Sequence, residues 1–261
     1  MNRFILVVVM LFLFSQACLA AGEGTLKGKL TSVDNKPLSE GVVYFFSVTS
    51  PLERPITGKF WRVPDFVHKI DAEGRFEARL PVGNYYIAAI KRAAEGRFGP
   101  PQEGDFFLPV HDDKGVYRTV VVKDGVVSDI GTLTKIGRYS ASNYVYKGEQ
   151  SAIEGKILTS EGTPVSGLSI LGYLNPEMTG PPQFVSAPSQ ADGGYRLPVD
   201  KGRTLYLKVR SGYAGGMPQA GALVGVYGDF SAPEPVEIVT GKVTKGIDII
   251  VVPFAGSGKP M

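Results

Sequence analysis

The chain has 261 residues, with 28 Lys and Arg against 25 Asp and Glu for a formal net charge of +3, 33 glycines, 19 prolines and a single cysteine. The basic residues are scattered and form no stripe, which excludes a nucleic-acid surface. Glycine and proline without a collagen period demand many turns.

The first twenty residues, MNRFILVVVMLFLFSQACLA, place Arg3 before an unbroken apolar run from Phe4 to Phe14 and then small and polar residues. That is the layout of a secretory signal, too short to span a bilayer comfortably, with cleavage expected near Ala20. Cys18 lies inside it, and Ser15 stands where a lipid-attachment signal would place Leu. The mature chain then has no cysteine, so it carries no disulfide, thiolate metal site, cysteine nucleophile or covalent c-type haem. No other run reaches transmembrane length. The expectation is an exported periplasmic or extracellular protein held together by apolar burial alone.

From Gly24 onward the signal is β. The stretches 25–33, 41–48, 76–81, 84–91 and 117–122 are short, rich in β-branched and aromatic residues, and bounded by Gly, Pro, Asp or Asn. Residues 88–95 are the one local helix candidate, and they begin β-like. Gly28-Lys29 recurs as Gly155-Lys156 and Pro37 as Pro164, at an offset of 127. Asp71 to Gly74 has its counterpart at Asp192-Gly193, and Leu80-Pro81-Val82 recurs as Leu197-Pro198-Val199. An ordered series of signals with small drifts in offset is the mark of duplication. The expected modules are 24–136 and 151–254, joined by 137–150 and followed by a tail, 255–261. Tyr139, Tyr144 and Tyr146 in the joining stretch either pack the seam between modules or stack a ligand.

Several segments carry the pattern: GKLTSVDNKPLSEGVVYFF, DAEGRFEARLPVGNYYIAAI and VVVKDGVVSDIGTLTKI, and in the second copy GKILTSEGTPVSGLSI and VEIVTGKVTKGIDIIVV. This pattern resembles the carboxypeptidase regulatory-like domain, a transthyretin-like fold also grouped with carbohydrate-binding-like folds. The resemblance implies an all-β chain of two tandem antiparallel seven-stranded Greek-key β-sandwich modules. It implies a fold more firmly than a function. Within the repeat, Pro37 and Pro164 fix a turn, Gly41 and Gly167 allow the next strand to start close by, and Phe76 and Tyr195 point inward. Tyr206 is read as the counterpart of Ile87.

Enzymes of the wider transthyretin-like group offer a test of catalysis. The hydrolase ending Tyr-Arg-Gly-Ser is absent, and the chain ends FAGSGKPM. An intradiol dioxygenase needs two Tyr and two neighbouring His for iron, whereas His68 and His111 stand far apart. Gly-x-Ser-x-Gly does not occur. The Asp-Gly pairs lack the alternating oxygens of a calcium loop, and GSGKP lacks the strand-loop-helix context of a phosphate loop. The sequence therefore points to no catalytic residue, no metal and no cofactor.

A binding or structural protein remains, with three open readings. The favoured one is a non-catalytic scaffold of the cell envelope or extracellular space that binds a protein partner through loops or sheet edges. A carbohydrate module would use Phe60, Trp61 and Phe66, and any such site would belong to the first module; burial of Trp61 in the sandwich edge is the competing reading. A filament subunit would pair exposed strand edges; by analogy only, such tandem modules accompany envelope redox proteins. Two loops also repeat Pro-Gln and Gly-Asp-Phe: GPPQEGDFFLP, with Gln102, Asp105 and Phe106, and MPQAGALVGVYGDFSAP. On this reading the second copy has seven extra residues, and Phe106 and Phe230 anchor a structural connection. Should a ligand be held there, the differing middles predict different ligands.

Overall fold

The computed structural model describes residues 22–211 and 217–256. The signal stretch with Cys18, and the tail from Ser257, lie outside the described residues. Strands β1 (Glu23–Ser32), β2 (Val42–Ser47), β3 (Phe66–Lys69), β4 (Arg75–Pro81), β5 (Gly83–Lys91), β6 (Phe106–Leu108), β7 (Thr119–Val122) and β8 (Val127–Arg138) form one sheet, in the order β3-β2-β5-β6-β8-β1-β4 with β7 on β5. The second sheet contains β9 (Ser151–Thr159), β10 (Ser169–Tyr173), β11 (Phe184–Val185), β12 (Gly194–Val199), β13 (Arg203–Arg210), β14 (Leu223–Val226), β15 (Val236–Ile238), β16 (Val243–Thr244) and β17 (Ile249–Pro253). Its order is β11-β10-β13-β14-β17-β9-β12, with β15 on β13 and β16 on β9. The chain is all-β, and the two paths are the same path with the strands renumbered. In the helix candidate at 88–95, residues 88–91 are instead the end of β5 and 92–95 lie in the bend and turn that follow, and among the described residues no helix is long and apolar enough to cross a membrane.

Each path closes on itself as a sandwich around one core. In the first, Leu26, Val43, Phe45, Phe76, Leu80 and Ile87 are buried together; in the second, Ile153, Ile170, Tyr195, Leu197, Leu205 and Leu207. The ladders are antiparallel except β1 with β8 and β9 with β16 and β17, which are parallel. The repeated residues occupy matching places: Gly28 faces Phe76, and Gly155 faces Tyr195. Gly74 and Gly193 take φ of +80° and +77° and give their carbonyls to Leu30 and Ile157, so the hairpin turn needs glycine in both copies.

Two equivalences differ from those read along the sequence. Tyr85 and Ile87 face the first core, as Leu205 and Leu207 face the second, while Tyr86 and Tyr206 lie on the outer faces. Leu207, rather than Tyr206, is therefore the counterpart of Ile87; a one-residue slip exchanges faces. The Gly-Asp-Phe repeat is not structural either. Gly104 donates to the Tyr139 carbonyl, Asp105 to that of Gln102, and Tyr139 to that of Asp105. The same three bonds are made by Gly221 to Phe254, Ala222 to Gln219, and Phe254 to Ala222. Asp105 thus corresponds to Ala222, and no residues are inserted: AGALVGVY contains strand β14. Gly228-Asp229 falls beyond that strand, where Asp229 caps Ser231 as Asp112 caps Lys114 and Val116. Phe230 is 56% exposed and anchors nothing.

Candidate functional site

Strand β2 reads VVYFFS and is apolar on both faces. Val43 and Phe45 fill the sandwich, while Tyr44 and Phe46 join Ala88, Ile90, Phe107 and Val110 in a second cluster on the outer face. Strand β10 does the same, with Leu171 and Tyr173 outward beside Val185 and Val226. Continuous apolar strands need cover on both sides, and the cover is the junction between the modules.

The connection from β2 to β3 makes that junction. Phe60 is 5% exposed and belongs to the second module's core, with its ring edge-on to Phe184 at 6.0 Å and Leu52 and Ile56 packed beside it. The backbone N–H of Glu53 donates to Asp200, which also accepts from Arg203, and Val63 N–H donates to the Gln183 carbonyl. Gln150 returns two bonds from its side-chain amide to the carbonyls of Gly58 and Lys59. Arg62, 1% exposed, pairs with Asp65 and lies over Phe46. Burial pushes its pKa down against the opposing pull of Asp65 and Asp200.

Gly58 has φ +84°, and a Cβ there would overlap the carbonyl oxygen of Tyr144. Gly58→Ala is expected to cost about 3 kcal/mol, from backbone strain plus the clash. Gly115→Ala, with φ +79° and open space around it, should cost about 1 kcal/mol. Urea midpoints of the two variants give the comparison.

Trp61 follows Phe60 and sits where the two outer clusters meet, edge-on to Tyr44 at 5.8 Å and tilted against Phe107 at 6.5 Å. From the joining stretch, Tyr139 and Tyr144 stack with centroids 5.3 Å apart, and both point an edge at Phe107.

The loop from β5 to β6 is shaped by Asp105, which is fully buried. Its carboxylate accepts from Arg92 at 2.9 Å, Arg97 at 3.1 Å, Ala93 N–H at 2.9 Å and Gln102 N–H at 3.0 Å. Burial acts to raise the Asp105 pKa, and the two N–H donors together with Arg92 outweigh it, so the net shift is downward. Arg92 also donates to the carbonyls of Gly99 and Pro100. These bonds hold Pro100, Pro101 and Gln102 in one fixed turn.

Between these parts lies a cleft of about 460 Å³. Its floor is Phe46, Ala88, Phe107 and Val110; one wall is Phe60, Trp61, Pro100 and Pro101; the other is Val185, Ala187 and Pro198 of the second module, with Tyr139 at the joint. Pro55, Thr57, Gly58, Gln102, Ala141 and the ionic groups Lys59, Glu103 and Arg196 complete the lining. Each of those charges is engaged: Lys59 with Glu53, Arg196 with Glu154, Glu103 with Ala141 N–H and Ser140.

Four of the nine candidate residues, Phe60, Trp61, Gln102 and Tyr139, therefore converge on this cleft. Asp105 stands behind it as a brace and Tyr144 behind Tyr139. Phe66 packs on Tyr85 inside the first module; Phe106 packs toward the same core beneath Arg138; and Tyr146 lies under Lys59. The expectation of a site owned by the first module is corrected, since Val185, Ala187 and Pro198 come from the second. Sequence reasoning missed Pro100, Pro101, Val110 and that far wall; the two-sided apolar runs of β2 and β10 were the signal that a surface there had to be covered. His68 lies edge-on to Phe45 and His111 against Tyr117. Among the described residues no three His, Cys, Asp or Glu gather as metal ligands.

No protein-family model and no curated protein matches the sequence. Among solved structures, the Bacillus anthracis TIE protein is similar at 12% identity and a TM-score of 0.26, over 88% of this chain and 34% of that one. A leucine-rich repeat protein from Bacteroides thetaiotaomicron gives 11%, 0.26, 90% and 26% in the same order, and a streptococcal ancillary pilin 16%, 0.24, 90% and 64%. The chain spans about a third, a quarter and under two thirds of those proteins. At such TM-scores these likenesses carry nothing about function. The resemblance to carboxypeptidase regulatory-like domains has the β-sandwich class behind it, and no family match.

Proposed function

We propose that the chain is an exported, non-catalytic interaction protein of the cell envelope or extracellular space, whose cleft between modules receives an apolar segment of a protein partner. The observation that carries this reading is the lining. Seven separate segments, from both modules and the stretch that joins them, build one concave, largely apolar surface with a few polar groups, the general character of a binding pocket. Its volume lies in the range of about 300–1,000 Å³ typical of such sites. Export rests on the composition of Met1 to Ala20, and the division into modules at 24–136 and 151–254 on the repeated strand order.

The mature chain has no native cysteine, so a benzophenone label at Ala187→Cys reports the cleft alone, and one at the exposed Val239→Cys serves as control. Labelled protein is irradiated in an envelope extract of the producing cell. The expected result is a polypeptide adduct from position 187 that is missing from position 239 and suppressed by the cleft-filling Ala141→Trp. Adducts with glycan instead, or no polypeptide adduct specific to position 187, would overturn the reading.

A further inference from the structure

We infer that the occupant of this cleft is an uncharged, proline-bearing segment in the extended polyproline II conformation. The inference rests on the proposed binding role of the cleft and names the chemistry of the partner. A polyproline II chain makes no internal hydrogen bonds and leaves its carbonyls free as acceptors, while its rings and apolar side chains form ridges. A surface that recognises it supplies aromatic and apolar slots with donors between them.

The cleft has both. Trp61, Pro101, Phe107 and Tyr139 provide the slots. Three residues of the same lining carry donors: Trp61 its indole N–H, Tyr139 its hydroxyl and Gln102 its side-chain amide. None of the three residues is fully buried, and none of these groups has a hydrogen-bond partner among the described residues. Burial raises the Tyr139 pKa, with Glu103 and Tyr144 acting the same way, so the hydroxyl keeps its proton at neutral pH.

Charge complementarity favours the same occupant. Lys59 and Arg196 are already paired with Glu53 and Glu154, so the lining offers no spare cation to a phosphate or an acidic peptide, and Glu103 is held by the Ala141 N–H and the Ser140 hydroxyl. A glycan meets a different obstacle. Its ring hydroxyls would face Val110, Val185, Ala187 and Pro198, none of which can replace the water they lose. The rigidity of both sides lowers the entropic cost of binding, since Asp105 fixes the Pro100-Pro101 turn and a proline segment is already extended.

Trp61 is the single tryptophan of the chain, so its fluorescence reads the cleft directly. Mature protein is titrated with acetyl-PPLPPLPPLP-amide, with the same peptide carrying alanine at every proline, and with cellohexaose. The expected result is a saturable emission change with the proline peptide alone. Gln102→Ala and Tyr139→Phe should each weaken it about five- to tenfold, the loss of one hydrogen bond, with the far-UV circular dichroism unchanged. Equal response to the alanine peptide, no saturation up to millimolar proline peptide, or no effect of either variant would overturn the inference. A polypeptide adduct at position 187 alongside such a failure leaves the binding role standing with a different segment. Saturation by cellohexaose alone overturns both.

Discussion

Replacing Asp105 by alanine is expected to destabilise the protein by about 3–5 kcal/mol, the cost of removing one partner from a buried ionic group. The side chain is inaccessible, and its removal strands Arg92 together with the N–H groups of Ala93 and Gln102. Arg97 is partly exposed and regains water, so it contributes less. The second module supplies a control within the same chain. There Ala222 makes the same turn with the same backbone bonds, so the turn itself does not require a carboxylate, and the loss in Asp105→Ala comes from the orphaned donors. The Arg92→Met/Asp105→Ala double variant should then recover a large part of the stability, measured by urea midpoint. Equal losses in the single and double variants would contradict this account. The pH dependence has a definite sign. A carboxylate whose pKa is lower folded than unfolded stabilises the protein above its unfolded value, about 3.9, and that contribution is lost as pH falls through the folded value. Asp105→Asn should therefore flatten the decline in stability below about pH 4 and leave its slope between pH 5 and 8 unchanged.

Much of the fold was legible because the repeat is written in residues with a backbone reason to recur. Gly74 and Gly193 need positive φ, and Phe76 and Tyr195 fill equivalent core positions. Pro-Gln was also a true equivalence, since Gln102 and Gln219 accept matching turn bonds. Gly-Asp-Phe misled because Gly and Asp are common currency of turns, and two unrelated turns can spell the same letters. The residues between were counted as an insertion because Gly228-Asp229-Phe230 was set against Gly104-Asp105-Phe106. Gly225 lies inside a strand, where a Cβ would press on the backbone and side chains of β17; a strand glycine often marks such a close approach. The cleft was half legible. The aromatic cluster at 60–66 and the tyrosines of the joining stretch drew attention by composition. That Phe60 enters the second module's core while Trp61, its neighbour in sequence, sits between the outer clusters of both modules depends on long-range contacts for which no local pattern exists.

That contact makes the second module's core incomplete without the first. Phe60→Ala is expected to cost about 3–5 kcal/mol, as for a large aromatic removed from a packed core, although residue 60 lies in a connection between strands of the other module. Phe60 lies among Phe184, Ile153 and Leu205, each 0% exposed, and β11 is a strand of two residues with few bonds of its own to hold Phe184 in place. Removal should loosen β11 first, and with it Val185 and the far wall of the cleft. Two measurements follow. The intact chain should unfold in denaturant in a single transition, and Phe60→Ala should split it in two, the earlier belonging to the second module. A fragment beginning at Ser151, lacking Leu52, Ile56 and Phe60 altogether, should bind a hydrophobic dye and show poor near-UV dichroism, while its β content persists. A fragment as stable as the same residues in the whole chain would mean that the connection merely rests on a finished core. A loosened β11 would also abolish any saturable response of Trp61 to a cleft ligand, even though Trp61 and its own strands remain folded, because half of the surface it reports on belongs to the module that Phe60 completes.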